Sequence, residues 1–209
     1  MLSSLPDNPL GHFMLGKVLT DIGFIPEAVS QVQEALRLEP KDQNIASMKL
    51  FIMNYLPDYP AAGLFAEHLD YARQFCAEFY PDDPQYANVP DPERPLKVGY
   101  VSGDFQGHPV SQFVELLFTH HNRDEFEVHG FHNHRLSDGI TERLKGLVDQ
   151  WHPIDKMEDA DAVQLMRELG IDILIDLSGH TEFHRLLLFA RKPAPVYRPP
   201  GWATWQRLD

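Results

Sequence analysis

Residues 98–109 read VGYVSGDFQGHP, and the way this run breaks decides the fold. An aliphatic segment of strand length, Leu96 to Ser102, gives way at once to Gly103, Asp104, Gly107 and His108, closed by Pro109. Glycines permit backbone paths and close approaches that side chains block, and proline suits the first turn of a helix. The run therefore predicts a buried strand, a loop at its carboxyl end and a helix over 110–121. The same rhythm continues downstream. Strand patterns FEVHGFH, WHPI and IDILIDLS alternate with helical patterns over 139–148, 159–169 and 183–190. Strand, helix, strand at this spacing builds βαβ units and a parallel sheet. IDILIDLS is apolar apart from Asp172 and Asp176, which predicts a central or nearly central strand.

Parallel sheets carry their functional loops at the carboxyl ends of the strands. Two loops qualify, GDFQGHP after the first strand and SGHTEFH after IDILIDLS, and each holds histidine. A helix amino terminus disfavours imidazolium, so His108 is expected to stay neutral and able to accept a proton. Asp104 would orient it or bind a substrate hydroxyl. Other groupings carry less chemistry. Gly99 and Gly103 lack the third glycine of a dinucleotide fingerprint, and there is no GKS or GKT phosphate loop. In VHGFHNH, strand alternation sets His132 and His134 on one face and His129 on the other, so three metal ligands do not converge and no metal is expected. His120 and His121 end a helix, where imidazoles satisfy terminal carbonyls. Asp159 and Asp161 fall at a helix start, which acids favour.

Upstream, residues 9–42 place Leu15-Gly16, Leu19, Gly23, Ala28, Val32, Ala35 and Pro40 in the register of a tetratricopeptide repeat of roughly 34 residues. Gly16 and Ala28 would let two helices approach closely, Gly23 would turn the chain, and Pro40 would stop the second helix. Two more helices are predicted over 45–55 and 60–80, the second with an apolar stripe through Leu64, Tyr71, Phe75 and Phe79. His68 on that stripe reads as a packed histidine, and Cys76 lacks a neighbouring base that would make it reactive. The run PDDPQYANVPDPERP, rich in proline and acids, reads as a linker.

Bulk composition narrows the partners. The 209 residues are 43% hydrophobic and 23% charged, a folding composition, with a net charge of -13. Such a balance repels nucleic acid phosphates, and Arg185 to Lys192 is too small a basic patch to reverse it. One cysteine fits a reducing compartment. No window approaches the ~18 apolar residues that a membrane span needs. A cytoplasmic protein is expected, with neither membrane nor nucleic acid among its partners.

With IMNYLPDY, LFAEHLDYAR, PLKVGYVSGDFQGHPV, HHNRDEFEV, LGIDILIDLSGHT and LLLFARKPAPV together, the chain resembles bacterial members of the O-linked N-acetylglucosamine transferase and SPINDLY family. The resemblance covers residues 9–196. It implies an α/β fold: a short tetratricopeptide-like helical region over 1–57, a connector over 58–94, and over 95–209 a Rossmann-like lobe, the amino-terminal half of a GT-B glycosyltransferase. It implies inverting, metal-independent transfer of N-acetylglucosamine from UDP-GlcNAc to serine or threonine of protein or peptide acceptors, with no further cofactor. By motif match, Asp104 and His108 would be the active-site acid and histidine. Pro109 and Val110 would line the sugar pocket, and His180 and Thr181 would sit on the neighbouring loop. The family holds the nucleotide mainly through a second lobe. After Val196 the family continues into a glycine loop, whereas this chain reads YRPPGWATWQRLD, with Gly201-Trp202 as a possible remnant. The expectation is a fragment ending after the first lobe and inactive alone. The alternatives are a non-catalytic interaction module that binds peptides through its helical repeat, and a zinc hydrolase built on the strand histidines.

Overall fold

The structure is a computed structural model that describes residues 7–91 and 93–198. The sequence readings at Gly201 and Trp202 lie outside the described residues. The chain divides into two compact units, residues 1–78 and 79–209.

In the first unit, α1 (Pro9–Asp21) starts at Asn8, whose side chain accepts from the Gly11 N–H at 3.0 Å. It turns at Gly23, where φ is +83°, into α2 (Ile25–Leu38). A Cβ on Gly16 would stand 2.4 Å from Val32 Cγ2, so the two helices meet at a spacing that only glycine allows. Helix α3 (Gln43–Met53) is capped by Asp42. Helix α4 (Ala61–Tyr71) runs into a π-turn over Ala72–Cys76 and a final 3-10 turn, so the predicted 60–80 helix changes pitch part-way. Burial there pushes the Cys76 thiol up to about 12, which makes it a packing residue. Burial also pulls His68 below the usual histidine range, as a packed imidazole requires.

The second unit contains a five-stranded parallel sheet among the described residues, in the order β3-β2-β1-β4-β5. The strands are β1 (Leu96–Ser102), β2 (Phe126–His132), β3 (Gln150–Pro153), β4 (Ile173–Asp176) and β5 (Val196–Arg198). The helices between them are α5 (Pro109–His120), α6 (Gly139–Lys145), α7 (Asp159–Glu168) and α8 (Leu186–Ala190). Strand alternation sends Val98, Tyr100 and Val128 into a cluster with Phe105, Phe118 and Leu144 of the α5–α6 side. It sends Val101, Phe131 and Leu174 to the other face, against Val163 and Met166 of α7 and Leu188 of α8. Phe105, Phe118 and Phe131 are fully buried, each contributing about 1.5–3 kcal/mol through the hydrophobic effect.

Several elements are shorter than the sequence reading: α6 ends at Lys145 rather than 148, and β4 covers only Ile173–Asp176 of IDILIDLS. Helix α8 is only Leu186–Ala190, because Phe183 sits in a turn and His184 and Arg185 lie outside the helix, where the sequence pattern began it at residue 183. Strand β5, which is short and not strongly apolar, escaped sequence analysis altogether.

Asp172, an acid in an apolar run, closes the amino end of the sheet. Its carboxylate accepts from Arg94 at 2.5 and 2.7 Å, from the Lys97 N–H at 2.9 Å and from Asn88 Nδ2 at 2.7 Å. The linker is thereby fastened across β1 and β4. Burial alone would raise this carboxyl, but the Arg94 guanidinium, the Lys97 N–H and the Asn88 amide together hold it below the usual range. A depressed folded value means that the contribution is present above the unfolded aspartate pKa and is lost as pH falls through the folded one. We expect Asp172→Ala to lower the thermal midpoint by roughly 5 °C or more near neutral pH. Calorimetry across a pH series should show that deficit shrinking once the pH drops below about 3.9.

Candidate active site

The order β3-β2-β1-β4-β5 sends the chain from β1 toward β2 but from β4 toward β5. The chain therefore leaves these two adjacent strands in opposite directions, the arrangement at which parallel sheets place a crevice at the carboxyl ends of the strands. Both loops chosen from the sequence are there.

The first loop is held almost atom by atom. Ser111 Oγ lies 2.8 Å from the Asp104 carbonyl and 2.6 Å from that of Gln106, and Thr141 Oγ1 donates to the Phe105 carbonyl at 2.7 Å. Asp138 caps α6 through Oδ1, which accepts from the Ile140 and Thr141 N–H groups at 2.9 Å. Its Oδ2 accepts from the Gly107 N–H at 2.7 Å. One carboxylate thus starts a helix and braces the loop that carries His108. The Thr141 N–H above all, with those of Gly107 and Ile140, holds Asp138 below the usual carboxylate range. The bond to Gly107 spans 31 residues and has no local signal in the sequence.

His108 is itself the cap of α5: its Nδ1 accepts from the Val110 N–H at 3.3 Å. The same Nδ1 lies 3.9 Å from Asp104 Oδ2, a buried oxygen without a hydrogen-bond partner. Burial raises the Asp104 carboxyl above the ordinary aspartate range, against the opposing pull of His108 and His134, while Glu182 reinforces the rise. Pro109 is exposed at the first turn of α5, and Val110 is half-buried with its side chain packed against the core cluster.

The second loop approaches closely. The Gly103 N–H donates to Ser178 Oγ at 3.3 Å, and a Cβ on Gly103 would stand 2.6 Å from Phe183 Cβ. Asp176, at the end of β4, accepts from the Ser178 and Gly179 N–H groups, and burial pushes its carboxyl up to about 6. Thr181 folds back through N–H and Oγ1 onto the Ser178 carbonyl, and His180 is buried with its ring 6.2 Å from that of His184.

Asn133, Phe183 and Arg185 take parts in the site that the sequence did not signal. Strand β2 ends at His132, so alternation does not extend to His134, whose ring instead meets Phe183 edge to face at 4.4 Å. His132 packs between Phe105 and Trp151, while His129 stacks on His152 on the opposite face. Asn133 donates to the Phe183 carbonyl at 2.7 Å and accepts from Arg185 at 3.1 Å. Arg185 continues to Asp159 at 2.7 Å and to the Met157 carbonyl at 2.9 Å. Asp159 was expected to cap α7, but its side chain pairs with Arg185 and Arg191 instead. Phe183 holds a left-handed φ of 60°, which costs a residue with a side chain about 1–2 kcal/mol.

Residues 80–201 match the profile of Glycosyl transferase family 41. The chain belongs to that family. Two relatives are named as probable UDP-N-acetylglucosamine–peptide N-acetylglucosaminyltransferase SPINDLY. That of Arabidopsis thaliana is 33% identical over 164 residues, 77% of this chain and 18% of its own. That of Solanum lycopersicum is 32% identical over 165 residues, with the same coverage. A solved mutant of the Thermobaculum terrenum O-GlcNAc transferase superposes with a TM-score of 0.89 at 36% identity, covering 95% of this chain and 38% of that one. The chain therefore spans under a fifth of the length of these curated relatives, and its fold is that of a family 41 helical region joined to one sheet lobe.

The Asp138 brace predicts that Asp138→Ala leaves the sheet folded but speeds amide exchange at Gly107 by roughly tenfold or more. Asp42→Ala, which removes the equivalent cap from α3, should leave Gly107 unchanged. Exchange followed by NMR checks both.

Proposed function

We propose that this chain supplies the acceptor-side lobe of a protein O-linked N-acetylglucosaminyltransferase that moves the sugar from UDP-GlcNAc to serine or threonine hydroxyls. The observation that carries this is the Asp104–His108 pair, braced at the carboxyl edge of β1 in a family 41 chain. Relatives are named for transfer from the same donor to peptides.

A serine or threonine hydroxyl is a poor nucleophile and gains from a base that takes its proton as the anomeric bond forms. His108 Nδ1 has two partners within reach, the Val110 N–H at 3.3 Å and Asp104 Oδ2 at 3.9 Å. Turned toward Asp104, the ring would donate Nδ1–H to the unpartnered carboxylate oxygen and present the Nε2 lone pair to the acceptor. Asp104 would then fix the tautomer and stabilise the imidazolium that forms. Thr181 and His180 bound the same crevice and are assigned to the sugar, with Pro109 at its rim. Val110 contributes by holding His108 in place.

In the assembled enzyme the departing diphosphate is assigned to a second lobe, whose positive groups and dipoles would meet its charge. Transfer is taken to proceed with inversion and without a metal or any cofactor other than the donor. Residues 1–57 serve as the tetratricopeptide-like element, 58–94 as the connector and 95–209 as part of the catalytic lobe. The partners are protein acceptors rather than nucleic acid or membrane, consistent with the net charge of -13. Among the described residues no helix is long and apolar enough to cross a membrane. We assign the protein to the cytoplasm, in keeping with its one cysteine.

The test is transfer of radiolabelled sugar from UDP-GlcNAc to acceptor peptides, with the second lobe of a relative supplied separately. Transfer is expected only when both pieces are present, and His108→Ala should reduce it by about 10²-fold or more. Undiminished transfer by that variant would contradict the assignment.

A further inference from the structure

Phe183 combines features that packing alone does not explain. The residue is 44% exposed, yet its backbone sits at a φ of 60°, where a bulky side chain is an outlier. Lys192, the other described non-glycine residue with positive φ, follows α8, where a helix end commonly adopts this conformation. Phe183 ends no helix. Glycine or asparagine would hold its turn with less strain, and neither is present.

The strained conformation is fixed from several sides. Asn133 holds the Phe183 carbonyl, Arg185 holds Asn133, and Gly103 clears the space against Phe183 Cβ. The ring is thereby set beside His134, edge to face at 4.4 Å, at the rim of the crevice whose other wall carries Asp104. Phe183 Cβ also faces Gly103, the residue next to Asp104 in the first loop, so the aromatic belongs to the same edge of the sheet as the acid. Strain retained at a site, and over-determined by its surroundings, is the mark of a functional position.

We infer that Phe183 is a sugar-binding residue, its exposed ring beside His134 receiving the apolar C–H face of a pyranose at the crevice. This rests on the transferase assignment and adds to it the residue that contacts the ring of the transferred sugar. A flat aromatic face offers contact area at low entropic cost, and the polar edge of the sugar remains directed at the Asp104 and His180 loops.

The experiment titrates the isotope-labelled 209-residue chain with N-acetylglucosamine, with UDP-GlcNAc and with UDP, following the amides of Gly103, Asp104 and His134 by NMR. Both sugar-bearing probes should move these signals saturably, and UDP alone should not. Phe183→Gly should weaken sugar binding by roughly two- to tenfold, and Phe183→Tyr should retain it. The thermal midpoint of Phe183→Gly should equal or exceed that of the parent, because strain is removed with the ring. Unchanged sugar affinity in Phe183→Gly, with Asp104 still responding, would overturn the inference and leave the transferase assignment standing. A midpoint that falls as for a buried aromatic would overturn it in favour of simple packing. A response of the Phe183 ring to acceptor peptide but not to sugar would overturn it in favour of acceptor contact. If no sugar-bearing probe moves either loop, this inference fails, while the transferase assignment is decided by the two-piece transfer assay.

Discussion

The site depends on one close approach. The loops after β1 and β4 come together at a separation where a methyl group on Gly103 would overlap Phe183 Cβ at 2.6 Å. Parallel pairing of Val101 with Asp176 brings the two strand ends side by side, and the opposite directions of their exits open the crevice. Gly103 then lets Ser178 reach its N–H and lets the His134–Phe183 contact form across the gap. Without that contact the acid and histidine of the first loop would face solvent from a single wall.

Three aspartates show how place decides chemistry for one residue type. Asp172, at the amino end of β4, is saturated with donors and held low, so it behaves as a structural anion. Asp176, at the carboxyl end of the same strand, has two backbone donors and no counter-charge, and burial pushes it up to about 6. Asp104 is buried with one oxygen unpartnered, its pKa raised by desolvation and opposed by two histidines. The sequence marked Asp172 and Asp176 alike as polar exceptions in an apolar run. Only the register with β1 separates a clasp from a member of the crevice floor.

What was legible in the sequence follows the range of the forces involved. Strands β1 and β2 were read to the residue because alternation and glycine punctuation are local. Helix α5 was read within one residue because Pro109 marks its start. Helix α8 was read as starting at Phe183, three residues early, because the apolar run Leu186–Ala190 extends back to that aromatic, and β5 was lost for want of length. Asp104 and His108 were visible as a pair four residues apart. Asp138, Asn133, Phe183 and Arg185 were not, since each acts through a bond to a residue at least 31 positions away in sequence or through a backbone angle that composition does not encode.

The joining of two loops into one electrostatic site is most directly tested by the titration of the Asp104 carboxyl, followed by carbon NMR in the parent, His134→Ala and Glu182→Gln. The account predicts a midpoint above the ordinary aspartate range, rising further when the His134 imidazole is removed and falling when the Glu182 charge on the β4 loop is removed, because the first lowers it and the second raises it in the intact protein. A midpoint in the ordinary range, indifferent to both substitutions, would show Asp104 to be a solvated acid on an open loop and would contradict the account.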